Sequence, residues 1–193
     1  MDKIAFIIPG WSESKKNNPA YNKIAGYFKD KGIKPVVVDI DWKYKTMSEY
    51  VEQFNKIYNE SKKGSEIYFL GFSFGAMIAF ISSVKLKPKV QILCSLSPYF
   101  KEDFPFIREW WKRYIGQARL ADFHKTSFNE LSKKISIKTI IIAGDKEGKE
   151  VDRRVKDANK KIKNSQMIII PKAKHRIQQD EYLAEIKRVI KSL

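Results

Sequence analysis

The chain has 193 residues, 43% of them hydrophobic and 13% aromatic, which is the composition of a globular domain long enough to bury a core without metal or disulfide staples. A single cysteine excludes an internal disulfide and fits a reducing compartment. The net charge of +16 raises nucleic acid, a membrane surface or an anionic substrate as partners, yet only seven of the 38 basic residues are arginine, the side chain suited to bidentate phosphate and base contacts.

The lysines are spread along the chain and interleaved with Asp and Glu, so they read as a solvated surface, and no nucleic-acid partner is expected. No stretch approaches the roughly 20 apolar residues of a membrane span. The first apolar run, 4–8, is too short for a signal-peptide core and ends in Pro9-Gly10-Trp11 with no small-residue cleavage site. It reads as the first strand, and a cytoplasmic location is expected.

In chain order, strand 4–8 is followed by a helix over 19–31, with Pro19 suited to its first turn and Gly32 to its C-terminal cap. A strand at 35–39, a helix at 47–62 and a strand at 66–70 come next. The helix at 75–85 is apolar all round and should be buried. A strand at 89–94 carries the cysteine, Cys94, as a buried thiol. After segment 98–134 the alternation resumes with strand 138–143, helix 148–162, strand 166–170 and helix 178–192.

Most strands are continuously apolar and β-branched, as in a parallel sheet covered on both faces, and the alternation implies right-handed crossovers. Segment 98–134 breaks the rhythm and is too long for an ordinary connection. It concentrates aromatics, among them Tyr99, Phe100, Phe104, Phe106, Trp110, Trp111 and Tyr114. It is expected to be a small cap over a pocket, the alternative being a helical insertion packed at the sheet edge.

The chemistry-bearing motif is Gly71-Phe72-Ser73-Phe74-Gly75, between the strand 66–70 and the buried helix. A sharp, strained strand-to-helix turn pushes a serine Oγ off the end of the sheet, and small residues two positions either side let strand and helix approach. The helix N-terminus adds partial positive charge where an oxyanion would develop. The pentapeptide alone is short enough to arise by chance; its position between strand and helix makes Ser73 the candidate nucleophile.

On these residues the chain resembles the α/β-hydrolase superfamily over nearly its whole length. The resemblance implies a minimal α/β fold: a mostly parallel six-stranded sheet in order 2-1-3-4-5-6, in a three-layer αβα sandwich, with the site at the carboxyl ends of the strands. Met1 lies three residues before the first strand, so the two leading strands of larger members are expected to be missing. In the family, acid and base follow the nucleophile.

Of two histidines, His175 follows the last strand and precedes the last helix, where the family has its base; His124 reads as a surface or packing residue. The family's usual acid lies three residues after a glycine that ends the penultimate strand, which from Gly144 falls on Glu147. Asp145 is the alternative acid, and Asp103 and Asp152 stay open behind it. The oxyanion hole would take backbone N–H groups from Phe74 and from Trp11 in Pro9-Gly10-Trp11, where many members have His-Gly.

These residues imply a serine hydrolase acting on a small-molecule carboxylic ester or thioester through a Ser-His-acid triad and an acyl-enzyme. No cofactor and no metal are implied, and a serine nucleophile argues against the dehalogenase and epoxide chemistry the family performs with aspartate. Amidase, peptidase and acyl-transfer activities would use the same residues, and the composition sets no oligomeric state. The alternative from another class is a non-catalytic binding or scaffold protein on a hydrolase fold. Lys101, Arg108, Lys112 and Arg113, near the aromatics, suggest an anionic head on the substrate.

Overall fold

The computed structural model describes residues 2–61 and 64–193; Lys62, the last residue of the predicted helix 47–62, lies outside them. The strands are β1 (Lys3–Ile8), β2 (Lys34–Val37), β3 (Glu66–Phe72), β4 (Val90–Cys94), β5 (Lys138–Gly144) and β6 (Ser165–Ile170). The helices, in chain order, are α1 (Ala20–Asp30), α2 (Met47–Ser61), α3 (Phe74–Leu86), α4 (Glu109–Ile115), α5 (Gln117–His124), α6 (Phe128–Ser132), α7 (Lys149–Lys161) and α8 (Asp180–Lys191). Among the described residues the strands form a six-stranded sheet in order β2-β1-β3-β4-β5-β6, with every pairing parallel. None of these helices is long and apolar enough to cross a membrane.

Strand pleat divides the core in two. Ile4, Phe6 and Ile8 of β1 join the cluster under α2, α3 and α7, whereas Ala5 and Ile7 join the cluster under α1 and α8. On the first face Phe54 of α2 packs edge-on against Phe6 and Phe69, with centroids at 5.7 and 5.1 Å. Each such pair contributes about 0.5–1.5 kcal/mol beyond area burial.

The predicted strand 35–39 ends at Val37. Pro35 is tolerated because β2 is an edge strand, with β1 as its neighbour in the sheet. Pro19 stands immediately before α1 rather than inside it. At the other end Gly32 takes φ 72° and the Ile33 amide reaches back to the Phe28 carbonyl at 2.9 Å, the expected left-handed cap.

Segment 98–134 combines the two expected arrangements, a part packed into the core and a part that borders a pocket. It holds a 3-10 helix (Lys101–Phe106) and α4, α5 and α6, and most of it belongs to the main core: Phe100, Phe123 and Phe128 are fully buried, with Phe80 stacked on Phe128 at 4.9 Å. Asp103 is buried and paired with buried Arg154 of α7, Nη2 to Oδ1 at 2.6 Å. Asp122 accepts from the Ser48 amide and hydroxyl in the first turn of α2, at 2.8 and 2.6 Å. These anchors weld the segment to α2 and α7. The exposed large aromatics of the segment are Phe106, at the end of the 3-10 helix, and Trp110 and Tyr114 of α4, the last two at 60% and 66%.

Candidate active site

β3 runs through Gly71 and Phe72, and the chain then turns at Ser73 with φ 56° and ψ −116° before entering α3. A non-glycine residue held in such a region costs on the order of 1–3 kcal/mol and persists only where neighbours enforce it. Here the Ser73 amide donates to the Cys94 carbonyl at 2.9 Å, and the Ser73 carbonyl accepts from the Ala76 and Met77 amides at 3.0 and 3.2 Å. A Cβ on Gly75 would collide with the carbonyl oxygens of Ile8 and Pro9, and one on Gly71 with the backbone of Gly75 and Ala76. Glycine at both positions is therefore what lets β3, the β1 end and α3 meet.

His175 sits in the loop between β6 and α8. Its Nε2 lies 2.9 Å from Ser73 Oγ and its Nδ1 lies 2.8 Å from Glu147 Oε2. Gly144 makes this possible, because a Cβ there would overlap the Ala173 carbonyl in the histidine loop. The two loops are also tied directly, with the Lys146 amide donating to the Ala173 carbonyl at 2.9 Å.

Glu147 is nearly inaccessible, its side chain 1% exposed, while His175 is 39% exposed. Its second oxygen, Oε1, accepts from the Gly144 amide at 2.5 Å, from Ser95 Oγ at 2.9 Å and from the Tyr182 hydroxyl. Burial alone would raise the Glu147 pKa. The hydrogen bond and charge of His175, with the bonds from Tyr182 and Gly144, outweigh it and hold the carboxyl below its usual range. Burial, and next the Glu147 charge, push the Tyr182 phenol far up, so it stays a neutral donor. Cys94, buried beneath the site, has its thiol pushed up by burial and then by Glu147, and it stays protonated.

The other candidate carboxylates lie elsewhere. Asp145 is exposed and sits 3.8 Å from Lys146 Nζ. Asp152 pairs with Lys156 at 2.9 Å on the surface of α7, and Asp103 serves the buried Arg154. His124 is exposed and packs on Phe104. The structure thus brings Ser73, His175 and Glu147 together and leaves Asp145, Asp152, Asp103 and His124 apart from them.

Among the described residues, two backbone amides beside the serine are without an intramolecular partner of the usual kind. As the first residue of α3, Phe74 has an amide with no partner inside the helix. Trp11 is the second residue of a turn closed by the Glu13 amide on the Gly10 carbonyl at 2.9 Å, with Ser12 at φ 62°, and the Trp11 amide has no hydrogen-bond partner among the described residues. The Trp11 and Phe74 rings stack at 5.4 Å and 10°, which fixes the turn against the start of α3.

An open cavity of about 560 Å³ lies over Ser73 and His175, walled by Trp11, Phe74, Tyr99, Trp110 and Trp111. The ionisable groups lining it are Glu13, Glu147, Glu150, Arg108 and His175. Arg108 is paired with Glu150 at 3.0 Å, and Lys101, Lys112 and Arg113 are not in the lining. The basic cluster that suggested an anionic head therefore points elsewhere, because α4 turns its aromatic side to the cavity.

Sequence reasoning missed Ser95, Ser97 and Tyr182. Ser97 Oγ lies 3.1 Å from Ser73 Oγ, and Ser95 reaches Glu147. Their one local signal was polar residues following the apolar run of β4, at the carboxyl edge of the sheet. Tyr182 had no local signal, since it arrives from the buried face of α8.

Neither a family model nor a curated protein sequence matches the chain. Solved structures do. Est1E from Butyrivibrio proteoclasticus, with ferulic acid bound, is similar over 98% of this chain and 87% of its own, with TM-score 0.85 and 14% identity. Alpha/beta hydrolase domain-containing protein 10 from mouse covers 98% of this chain and 88% of its own, with TM-score 0.81 and 11% identity. An esterase from Exiguobacterium antarcticum covers 98% and 91%, with TM-score 0.73 and 13% identity. The chain has the α/β-hydrolase fold.

Proposed function

We propose, taking that fold as premise, that the protein is a serine hydrolase cleaving a carboxylic ester or thioester. One observation carries the reading: an uninterrupted relay from the buried Glu147 carboxylate through His175 to a serine in a strained turn, at 2.8 and 2.9 Å. With Nδ1–H directed to Glu147, His175 presents the Nε2 lone pair to Ser73, the tautomer a general base needs.

Ser73 Oγ attacks the acyl carbon and its proton passes to Nε2. The carbonyl oxygen, now an oxyanion, takes the Trp11 and Phe74 amides. Collapse breaks the bond to the leaving oxygen or sulfur, which departs with the proton from Nε2. Water then repeats the steps on the acyl-enzyme, giving the acid and free Ser73. Glu147 keeps its charge throughout and stabilises the imidazolium, helped by the three donors on Oε1.

The aromatic walls favour an apolar or aryl acyl group, and the ferulic acid bound to Est1E, itself an aryl acid, supports that choice. With Glu13 and Glu150 in the lining and Arg108 already paired with Glu150, the cavity favours a substrate without negative charge. The lone cysteine, reduced and buried in β4, fits the cytoplasm.

The test is labelling with a fluorophosphonate probe, followed by turnover of p-nitrophenyl esters of graded chain length and of acyl thioesters. Wild type should label and Ser73→Ala should not. An unlabelled, folded wild type would turn the reading toward a binding protein.

A further inference from the structure

We propose that Glu13 and Tyr21 form a clamp that positions the Trp11 peptide for oxyanion binding. The inference rests on the hydrolase reading, and it assigns a task to two side chains that hold the Gly10–Glu13 turn, Glu13 at the rim of the cavity and Tyr21 in the core beneath it.

Glu13 uses nearly all of its polar atoms on this turn. Its amide donates to the Gly10 carbonyl at 2.9 Å, and its carbonyl accepts from Trp42 Nε1 at 3.1 Å. Its Oε2 accepts from the Gly10 amide at 3.2 Å and from the Tyr21 hydroxyl, and its Oε1 accepts from Asn18 Nδ2 at 3.0 Å. The Gly10 amide also donates to the Tyr21 oxygen at 2.9 Å. Glycine at position 10 fits this arrangement, since a Cβ there would come within 2.7 Å of Glu13 Oε2 and 3.1 Å of Phe72.

The physical consequence follows from peptide planarity. The Gly10 carbonyl and the Trp11 N–H belong to one rigid unit and point in opposite directions. Pinning that carbonyl with the Glu13 amide therefore aims the Trp11 N–H. Pinning the Gly10 amide with the carboxylate and the phenol blocks the rotation that would let the unit turn over. Tyr21 is fully buried on α1, so the clamp is referred to the core and not to the loop.

The carboxylate is there for shape. Among the described residues Glu13 has no cationic partner; neutral donors hold it. A negative charge beside a developing oxyanion would oppose catalysis, so a neutral residue of the same length that still accepts from the Gly10 amide and Tyr21 should keep part of the clamp.

The test compares Glu13→Ala, Glu13→Gln and Tyr21→Phe by kcat, KM, melting temperature and inhibition by an aryl trifluoromethyl ketone, whose serine adduct carries an oxyanion. Loss of a whole donor typically costs about 10²–10³, so Glu13→Ala should lose roughly 10–100-fold in kcat with KM within about twofold. Its ketone inhibition should weaken by a similar factor. Glu13→Gln keeps an acceptor for the Gly10 amide and Tyr21 but sets its NH₂ against Asn18 Nδ2, so it should recover part of that loss, and the near-isosteric Tyr21→Phe should also fall between wild type and Glu13→Ala.

A lowered melting temperature with wild-type kcat and ketone affinity would overturn the clamp, leaving a stabilising turn only. So would a Gln variant as impaired as the Ala variant. If Glu13→Ala does not fold, the Gln and Phe variants carry the comparison: wild-type values for Tyr21→Phe would then refute the proposal. Fluorophosphonate labelling of wild type, run alongside, separates failure of the clamp from failure of the hydrolase reading.

Discussion

Replacing Glu147 by glutamine should cost far more than the loss of one charge, and the surroundings of Oε1 say why. Three donors converge on that atom: the Gly144 amide, the Ser95 hydroxyl and the Tyr182 hydroxyl. An amide nitrogen placed there would face N–H and O–H groups, so the glutamine oxygen must take the Oε1 site. The NH₂ group then occupies the Oε2 site, 2.8 Å from His175 Nδ1. His175 is forced to accept at Nδ1 and carry its proton on Nε2, which leaves no lone pair for Ser73.

In a serine protease the equivalent change of tautomer costs about 10⁴ in kcat, which is about 5.5 kcal/mol of barrier. A similar loss is expected here, with the fold retained. Asp145→Asn should stay within about threefold, since that carboxylate is exposed and beside Lys146. Glu147→Asp, shorter by about 1.5 Å, cannot reach both the three donors and His175, and should fall between. Stopped-flow acylation by p-nitrophenyl acetate, with circular dichroism as the fold control, measures all three. A Glu147→Gln enzyme within tenfold of wild type, or an Asp145→Asn enzyme equally impaired, would refute the reasoning.

Because the Glu147 pKa lies below its unfolded value, its ionisation stabilises the fold above the ordinary glutamate range, and that contribution is lost as pH falls through the depressed folded value. Tyr182→Phe removes one of the bonds that depress it. Urea titrations should find the variant about 1.5–3 kcal/mol less stable near neutral pH, with a smaller deficit below the glutamate range. Gly75→Ala should abolish soluble folded protein or fluorophosphonate labelling, because the added methyl meets the Ile8 and Pro9 carbonyls at the elbow; expression and labelling read this directly. Steady-state kinetics on matched aryl esters, one neutral and one with an acyl carboxylate, should favour the neutral ester by roughly tenfold or more, with the gap narrowing as salt rises. Asp103→Ala should cost about 1.5–3 kcal/mol in chemical denaturation, since the buried Arg154 guanidinium loses its Asp103 bonds and keeps only Asp157, at 3.0 Å, as carboxylate partner.

Much of this molecule was legible along the chain wherever a demand is local. A strand buried on both faces must be apolar at every position, so the runs at 66–70 and 138–143 announced themselves, though β2 ended two residues early at the polar end of its edge. The elbow is also local: the close approaches at 71 and 75 admit only glycine, and the serine between them is marked by that spacing. His175 stood out because the chain has only two histidines and one of them follows the last strand.

The rest depends on how elements pack. Ser95 and Tyr182 reach Glu147 across 52 and 35 residues of chain, and Tyr21 reaches Gly10 from inside a helix. Whether Glu147 or Asp145 faces the imidazole was a matter of side-chain direction after Gly144. The charges of segment 98–134 read as a cluster in sequence, yet only Arg108 lines the cavity. Sequence by itself determined the strands, the elbow and the order of the candidate residues, because backbone geometry restricts residue type at fixed spacing. Tertiary structure alone decided which polar atoms meet, because a side-chain hydrogen bond is set by where two elements come to rest against each other.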